Sequence, residues 1–260
     1  MMPLAMMHAP STMPEPTSFG RNRLLAGLPP ADFALLAPHL TDAVLDKGTV
    51  LQEPGDPIAW VYFPHSGLVS LLGVLPDGYA VDAVTIGHEG AIGLSAGLGA
   101  PRAVSRAVVQ LQARVAQINA LAFAEAAADS AALRGMIARY NDMLLAQMQQ
   151  SVACNALHHV QARLCRWLLQ ARDRAGTDML PLTQECLSGI LGVQRTTVTI
   201  ISRALQADGI IQVRRGRIQI LDARGLEGKA CACYGAVRDL MGSTSADLDV
   251  RSPRSLTVAN

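Results

Sequence analysis

The stretch TQECLSGILGVQRTTVTIISRALQADGIIQVRRGRIQILD, Thr183 to Asp222, leaves fewer folds open than any other part of the chain. Thr183 offers a hydroxyl to the free N–H groups of an opening helical turn. Leu187, Ile190 and Leu191 then recur on one face. Gly192 ends this helix, because glycine enters the left-handed region at no steric cost. A second helix starts near Gln194 and is expected to turn Val198, Ile201, Ala204 and Leu205 inward. Ser188 is small where the two helices must cross. Two short helices about a glycine turn, with a small residue at the crossing, form a helix-turn-helix.

Asp208-Gly209 stops the second helix. Ile210 to Val213 and Arg217 to Leu221 read as two short strands, with Arg214, Arg215 and Gly216 at the turn between them. The whole predicts a winged helix. The structural alternative is an ordinary helical hairpin packed on a ribbon. Against it, the outward residues of the second helix are Arg195, Thr196, Thr199 and Arg203, which carry positive charge and hydroxyls and no acid.

Charge supports this division. Residues 1–155 hold 8 Lys and Arg against 12 Asp and Glu, and residues 156–242 hold 12 against 7. A basic segment after an acidic one suits nucleic-acid binding by the second alone. The 5 cysteines, with no secretory signal before them, predict reduced thiols in the cytoplasm. No apolar run can span a bilayer, so no membrane partner is expected. Residues 1–20 are Met- and Pro-rich and read as a disordered tail, and the polar residues 243–260 read as a flexible one.

Between these ends the texture changes twice. In residues 21–40, Pro29-Pro30 breaks a helical segment and Asp32 is placed to cap its second piece. From Ala43 to Gln117, short apolar runs alternate with Gly and Pro, and Pro76-Asp77-Gly78 makes a hairpin turn. This pattern predicts an antiparallel barrel or sandwich. From Ser130 to Asn155, Leu133, Ile137, Tyr140, Leu144, Gln147 and Ser151 recur at three- and four-residue spacing, as in the seam of a two-stranded coiled coil. The alternative is a helix packed only on its own domain. Met136, Met143 and Met148 read as core. A further helix is expected over Val160–Arg174, ended by Gly176. A last helix is expected over Leu226–Met241.

Taken together, GTVLQEPGD, VYFPHSGLVSLL, the long helix and the winged helix resemble the Crp/Fnr transcription regulators over residues 21 to 242. The resemblance implies an α+β chain: a cyclic-nucleotide-binding-type antiparallel β-roll (21–129), a dimerisation helix (130–155) and a winged helix-turn-helix DNA-binding domain (156–242). Gly48, Gly55, Asp56 and Gly67 fall at the roll's expected turns. It implies a homodimer on double-stranded DNA, with RNA polymerase as a further partner, and places Leu133, Ile137, Tyr140 and Leu144 in the dimer seam.

The effector is left open. Cyclic-nucleotide members bind the ribose with a glycine–glutamate pair and the phosphate with an arginine followed by a small hydroxyl residue. In GAIGLSAGLGAPRAVSRAVVQ the glycine is Gly93, but Leu94 follows it. Arg102 precedes Ala103, and Arg106 precedes Ala107. Leucine cannot accept the ribose hydroxyl, so cyclic AMP is not expected. No cysteine precedes Cys154, so the N-terminal iron–sulfur cluster of other members is not expected. Cys231 and Cys233 with His158 or His159 could in principle hold zinc, but a one-residue gap is not usual structural spacing and no metal is expected. Cys165 and Cys186 fall on inward helical faces. No metalloprotease motif, phosphate-cradling lysine loop or Ser/His/Asp grouping is found, so no enzyme is expected.

On DNA, Arg195 is the candidate for a guanine edge, with Thr196 and Thr199 against neighbouring bases. Thr197, Arg203, Arg214, Arg215 and Arg217 are expected on phosphates. Many family members have an acid at the position of Thr196 and an arginine at that of Ile200, so the half-site should differ from theirs. The rival readings are a regulator without an effector, and a sensor or scaffold whose winged helix binds protein.

Overall fold

The computed structural model describes residues 21–100 and 102–247. The expected tail at 1–20 and residues 248–260 of the second tail lie outside them. Helix α1 (Arg23–Ala26) is capped by Asn22, whose side chain accepts from the N–H groups of Leu24 and Leu25. The same side chain donates to Pro64 O and Gly90 O, at 2.9 and 2.8 Å, and so ties the start of the described chain to the sheet. Helix α2 (Pro30–Leu36) begins at Pro30 rather than after Asp32. Proline suits a first helical position, where its missing N–H has no partner to lose.

Strands β1 (Thr41–Leu45), β2 (Val50–Gln52), β3 (Trp60–Val74), β4 (Ala80–Ile86) and β5 (Arg106–Asn119) form one antiparallel sheet of order β1-β5-β3-β4, with β2 also on β5. β3 continues through Pro64–Gly67, where the register shifts, instead of breaking there. Gly67 has φ +82°, and a Cβ on it would collide with Gln112 O and Ala113. The glycine therefore marks a bulge against β5, not a turn.

Asn119 caps α3 (Ala120–Asp129), and Ser130 caps α4 (Ala131–Leu157) through Leu133 N at 2.9 Å. The stripe expected to face a second copy faces inward. Leu133, Ile137 and Tyr140 are buried with Phe63, Ile118 and Phe123 in the chain's own core, and Leu144 packs against the same cluster. Tyr140 Oη accepts from Ala91 N at 3.1 Å, and a side chain at Gly90 would strike the Tyr140 ring. Leu133, Ile137 and Tyr140 are thus enclosed within the chain itself, while Leu144 is half-buried. Their three-four spacing is equally that of a helix lying on a sheet. Met136 and Met143 belong to this core, and Met148 packs against a neighbouring one.

The C-terminal unit comprises α5 (Val160–Ala175), β6 (Met179–Leu180), α6 (Gln184–Leu191), α7 (Arg195–Ala207), β7 (Ile211–Arg214), β8 (Arg217–Ile220), α8 (Ala223–Lys229) and α9 (Cys233–Asp247). Its core joins Leu164, Leu168, Leu187, Val198, Leu205 and Ile218 to Leu68 and Leu111 of the first sheet. β6 adds an unexpected third strand, in the order β6-β8-β7. Where one last helix was expected, α8 and α9 are separated by residues 230–232, and α9 runs five residues past 242 into the expected tail.

Candidate nucleic-acid interface

The turn between α6 and α7 is built as its sequence requires. Thr183 Oγ1 accepts from Cys186 N at 3.1 Å, and Gly192 sits at φ +65°. Ser188 is buried at the crossing, its hydroxyl donating to Glu185 O at 2.7 Å. On α7, Val198 and Leu205 are buried and Ile201 partly so. Ala204 is exposed, and Ser202 takes the inward place expected of it. The hydrophobic face of this helix is thus narrower than its sequence suggests.

The opposite face is open. Arg195, Thr196 and Arg203 are exposed and Thr197 is partly so. Arg195 stands at the first position of α7, 67% exposed, with Glu185 of α6 at 3.7 Å. At that distance and exposure the pair is weak, and the guanidinium is available to a ligand. Thr199 is differently placed. Its hydroxyl lies 2.7 Å from Gln184 Oε1 and 3.0 Å from Arg195 O, so it pins α7 to α6. Ile200 is 68% exposed on the same face as Thr196, an apolar group among polar ones. Its sequence signal was only the lack of an arginine there.

β7 and β8 form a two-residue hairpin, Arg214 pairing with Arg217 across Arg215 and Gly216, the last at φ +73°. Arg214, Arg215 and Arg217 are exposed together at its tip. Gln206 Oε1 accepts from Val213 N at 2.9 Å, fixing the hairpin to α7. α7 and the hairpin are therefore held together as a unit.

The expected effector cassette lies in the roll. Gly93 has φ +86° and starts a short 3-10 helix, Leu94–Leu98, with Leu94 buried in the core. Arg106 Nε pairs with Glu53 Oε2 at 2.7 Å, and Arg102 Nη1 donates to Gly55 O at 2.7 Å. Both arginines gather at the loop before β3, where each already has an acceptor from the chain itself.

Residues 162–228 match the family described as Crp-like helix-turn-helix domain. FixK2 from Bradyrhizobium japonicum superposes with a TM-score of 0.64 at 18% identity, over 74% of this chain and 98% of that one. A CRP-family transcriptional regulator from Thermus thermophilus gives 0.61 at 20%, over 72% and 96%. A putative transcriptional regulator of the Crp/Fnr family from Eubacterium rectale gives 0.59 at 21%, over 79% and 96%. The chain has the fold of these Crp/Fnr regulators, and its residues 162–228 form a Crp-like helix-turn-helix domain. No curated protein matches it.

In this chain the helix-turn-helix unit is docked on the roll through buried polar contacts. Arg174 of α5 pairs with Glu89 at 2.8 Å, both nearly inaccessible, and reaches Gln147 of α4 at 3.2 Å. His88 Nδ1 lies 3.0 Å from Arg174 O. Trp167 Nε1 donates to Asp82 Oδ2 at 2.8 Å, and Thr85 Oγ1 donates to the same oxygen. Burial pushes the Asp82 carboxyl above its ordinary pKa, only partly offset by these donors. Beside this seam, a cleft of about 570 Å³ opens between His88, Glu89, Arg172, Tyr234 and Arg238. Among the described residues, no helix is long and apolar enough to cross a membrane.

Proposed function

We propose that this chain is a sequence-specific DNA-binding transcription regulator that works as a homodimer. One observation carries the reading: the open face of α7 joins Arg195, Thr196, Ile200 and Arg203 to the arginines of the wing tip, with no acid on α7 itself. Arg195, at the helix start, is placed for the O6 and N7 acceptors of a guanine. Thr196 and Ile200 suit neighbouring base edges, and Arg203 and the wing suit phosphates. Thr199 acts by holding α7 on α6.

The dimer seam in this reading is the outer face of α4. Ala138, Asp142, Leu145, Gln149, Val152 and Ala156 are exposed and follow each other at alternating four- and three-residue steps, the period of a two-stranded coiled coil. Leu145 is 56% and Val152 70% exposed. A two-fold pair would set its recognition helices on half-sites about one helical turn apart. In the roll, Arg102 and Arg106 already have acceptors and Leu94 is buried, which supports an effector other than a cyclic nucleotide. Contact with RNA polymerase belongs to the same reading.

The test starts with duplexes selected from a random pool by the full chain. An inverted repeat is expected, with affinity that falls steeply with salt. Leu145→Glu should sediment as a monomer and lose most operator affinity, while Leu144→Glu should instead unfold the roll-facing side of α4. Dimeric Leu145→Glu protein with normal binding sinks the seam. Salt-independent binding, or none to any duplex, favours a winged helix that binds protein.

A further inference from the structure

Four metal-ligating side chains converge away from both the DNA-binding face and the roll cassette. Cys154 and His158 lie one turn apart at the end of α4, and Cys231 and Cys233 bracket the start of α9. All four ligand atoms fall within 4.8 Å of one another. Cys154 Sγ is 3.5 Å from Cys231 Sγ, and Cys233 Sγ is 3.5 Å from His158 Nδ1. Zinc–sulfur bonds of about 2.3 Å and zinc–nitrogen bonds of about 2.0–2.1 Å give tetrahedron edges of roughly 3.8 Å between sulfurs and roughly 3.6 Å between sulfur and nitrogen. The observed separations are close to both. The three cysteines are buried and form a small cluster of their own, with Ala162 beside it.

We propose that Cys154, His158, Cys231 and Cys233 form a structural zinc site that staples the end of the long helix to the start of α9. The set is a closed one, three sulfurs and one nitrogen, with no position left for water, which is the structural rather than the catalytic arrangement. Sequence reading joined Cys231 and Cys233 to His158 or His159 and set zinc aside on the one-residue gap; the ligand it lacked is Cys154, 77 residues before Cys231. An i, i+4 pair on a helix supplies one half. The Cys-x-Cys pair, unpromising as a chelate alone, supplies the other.

The surroundings fit the charge. Three thiolates, a neutral imidazole and Zn²⁺ leave one net negative charge. Arg163 and Arg166 of α5 are buried alongside, within electrostatic reach of Cys154 and Cys231, and each keeps a buried Nε without a hydrogen-bond partner. Gln150 Nε2 donates to Cys233 Sγ at 2.9 Å, the kind of outer contact that orients a metal thiolate. The staple would close over residues 158–159, the join between α4 and α5.

The experiment uses the full chain, purified reduced and stripped of metal with a chelator. Titration with Co²⁺ should reach one equivalent per chain and develop strong visible bands with thiolate-to-cobalt charge transfer, and Zn²⁺ should displace it. Of the five cysteines, Cys154, Cys231 and Cys233 should become protected from alkylation on metal addition. Hydrogen exchange at 155–159 should slow at the same time. Gln150→Ala should weaken metal affinity about 10-fold, and Cys231→Ser should remove one thiolate from the cobalt spectrum. Because the titration is made on the unaltered chain, a variant that fails to fold does not decide the matter. No uptake of either ion, a pale cobalt spectrum without charge transfer, or uptake that survives Cys231→Ser with Cys233→Ser would overturn the site. So would recovery of Cys154 and Cys231 only as a disulfide that no metal prevents.

Discussion

Two arginine-bearing regions of this chain are opposites in what the fold leaves them to bind. At the seam between roll and helix-turn-helix unit, Arg174 is 4% exposed and held by Glu89, Gln147 and its own backbone contact to His88. On α7 and the wing, Arg195, Arg203, Arg214 and Arg215 stand in solvent, with Glu185 3.7 Å from Arg195. A buried guanidinium needs its charge offset within the protein, because an unpaired buried charge costs several kcal/mol. An exposed one costs little and keeps its donors for a partner that brings phosphates or base edges. The same side chain is thus committed to the fold in one place and left open to a partner in the other, and burial tells them apart.

The largest effect is expected at the seam. Arg174→Met leaves Glu89 charged and buried, and should lower stability by about 3–5 kcal/mol in denaturant titration. Adding Glu89→Leu should recover much of that loss, since a buried pair replaced as a whole is often neutral. If the double variant is as unstable as the sum of the singles, the pair is not coupled and the contrast fails. At the open face, Arg195→Ala should leave stability unchanged and cost ~1–3 kcal/mol on the operator, with relaxed preference at one base pair. Equal weakening on operator and scrambled duplex would make Arg195 a backbone contact instead. Arg215→Ala should act more weakly, reducing affinity for all sequences alike and lowering the salt slope by roughly one unit.

The smallest effect concerns Asp82. Its folded pKa lies above its ordinary value of 3.8 because burial opposes the charge. The folded state therefore binds more protons than the unfolded one in the window above that value, and the stability this group contributes is lost as pH rises through it. Asn can accept from Trp167 and Thr85 without a charge to bury. Asp82→Asn should raise the melting temperature at pH 7, and the gain should shrink toward pH 4. A gain independent of pH would show that the carboxyl does not titrate in this window.

Local rules made much of the chain legible in advance. The Thr183 cap, the Gly192 turn, the Arg215-Gly216 hairpin and the Gly176 helix end each depend on a few neighbouring residues, and each is where its sequence places it. The antiparallel sheet and the long helix followed from texture and spacing in the same way. What spacing could not decide is which face of a helix meets which neighbour. Leu133, Ile137 and Tyr140 have the period of a dimer seam and also of a helix on its own sheet. Only the tertiary structure, by burying them on Phe63, Phe123 and Ala91, assigns them inward and leaves Leu145 and Val152 outside. The bulge at Gly67, the pairing of Arg174 with Glu89 and the meeting of Cys154 with Cys231 are decided the same way, because each joins residues that chain order keeps apart.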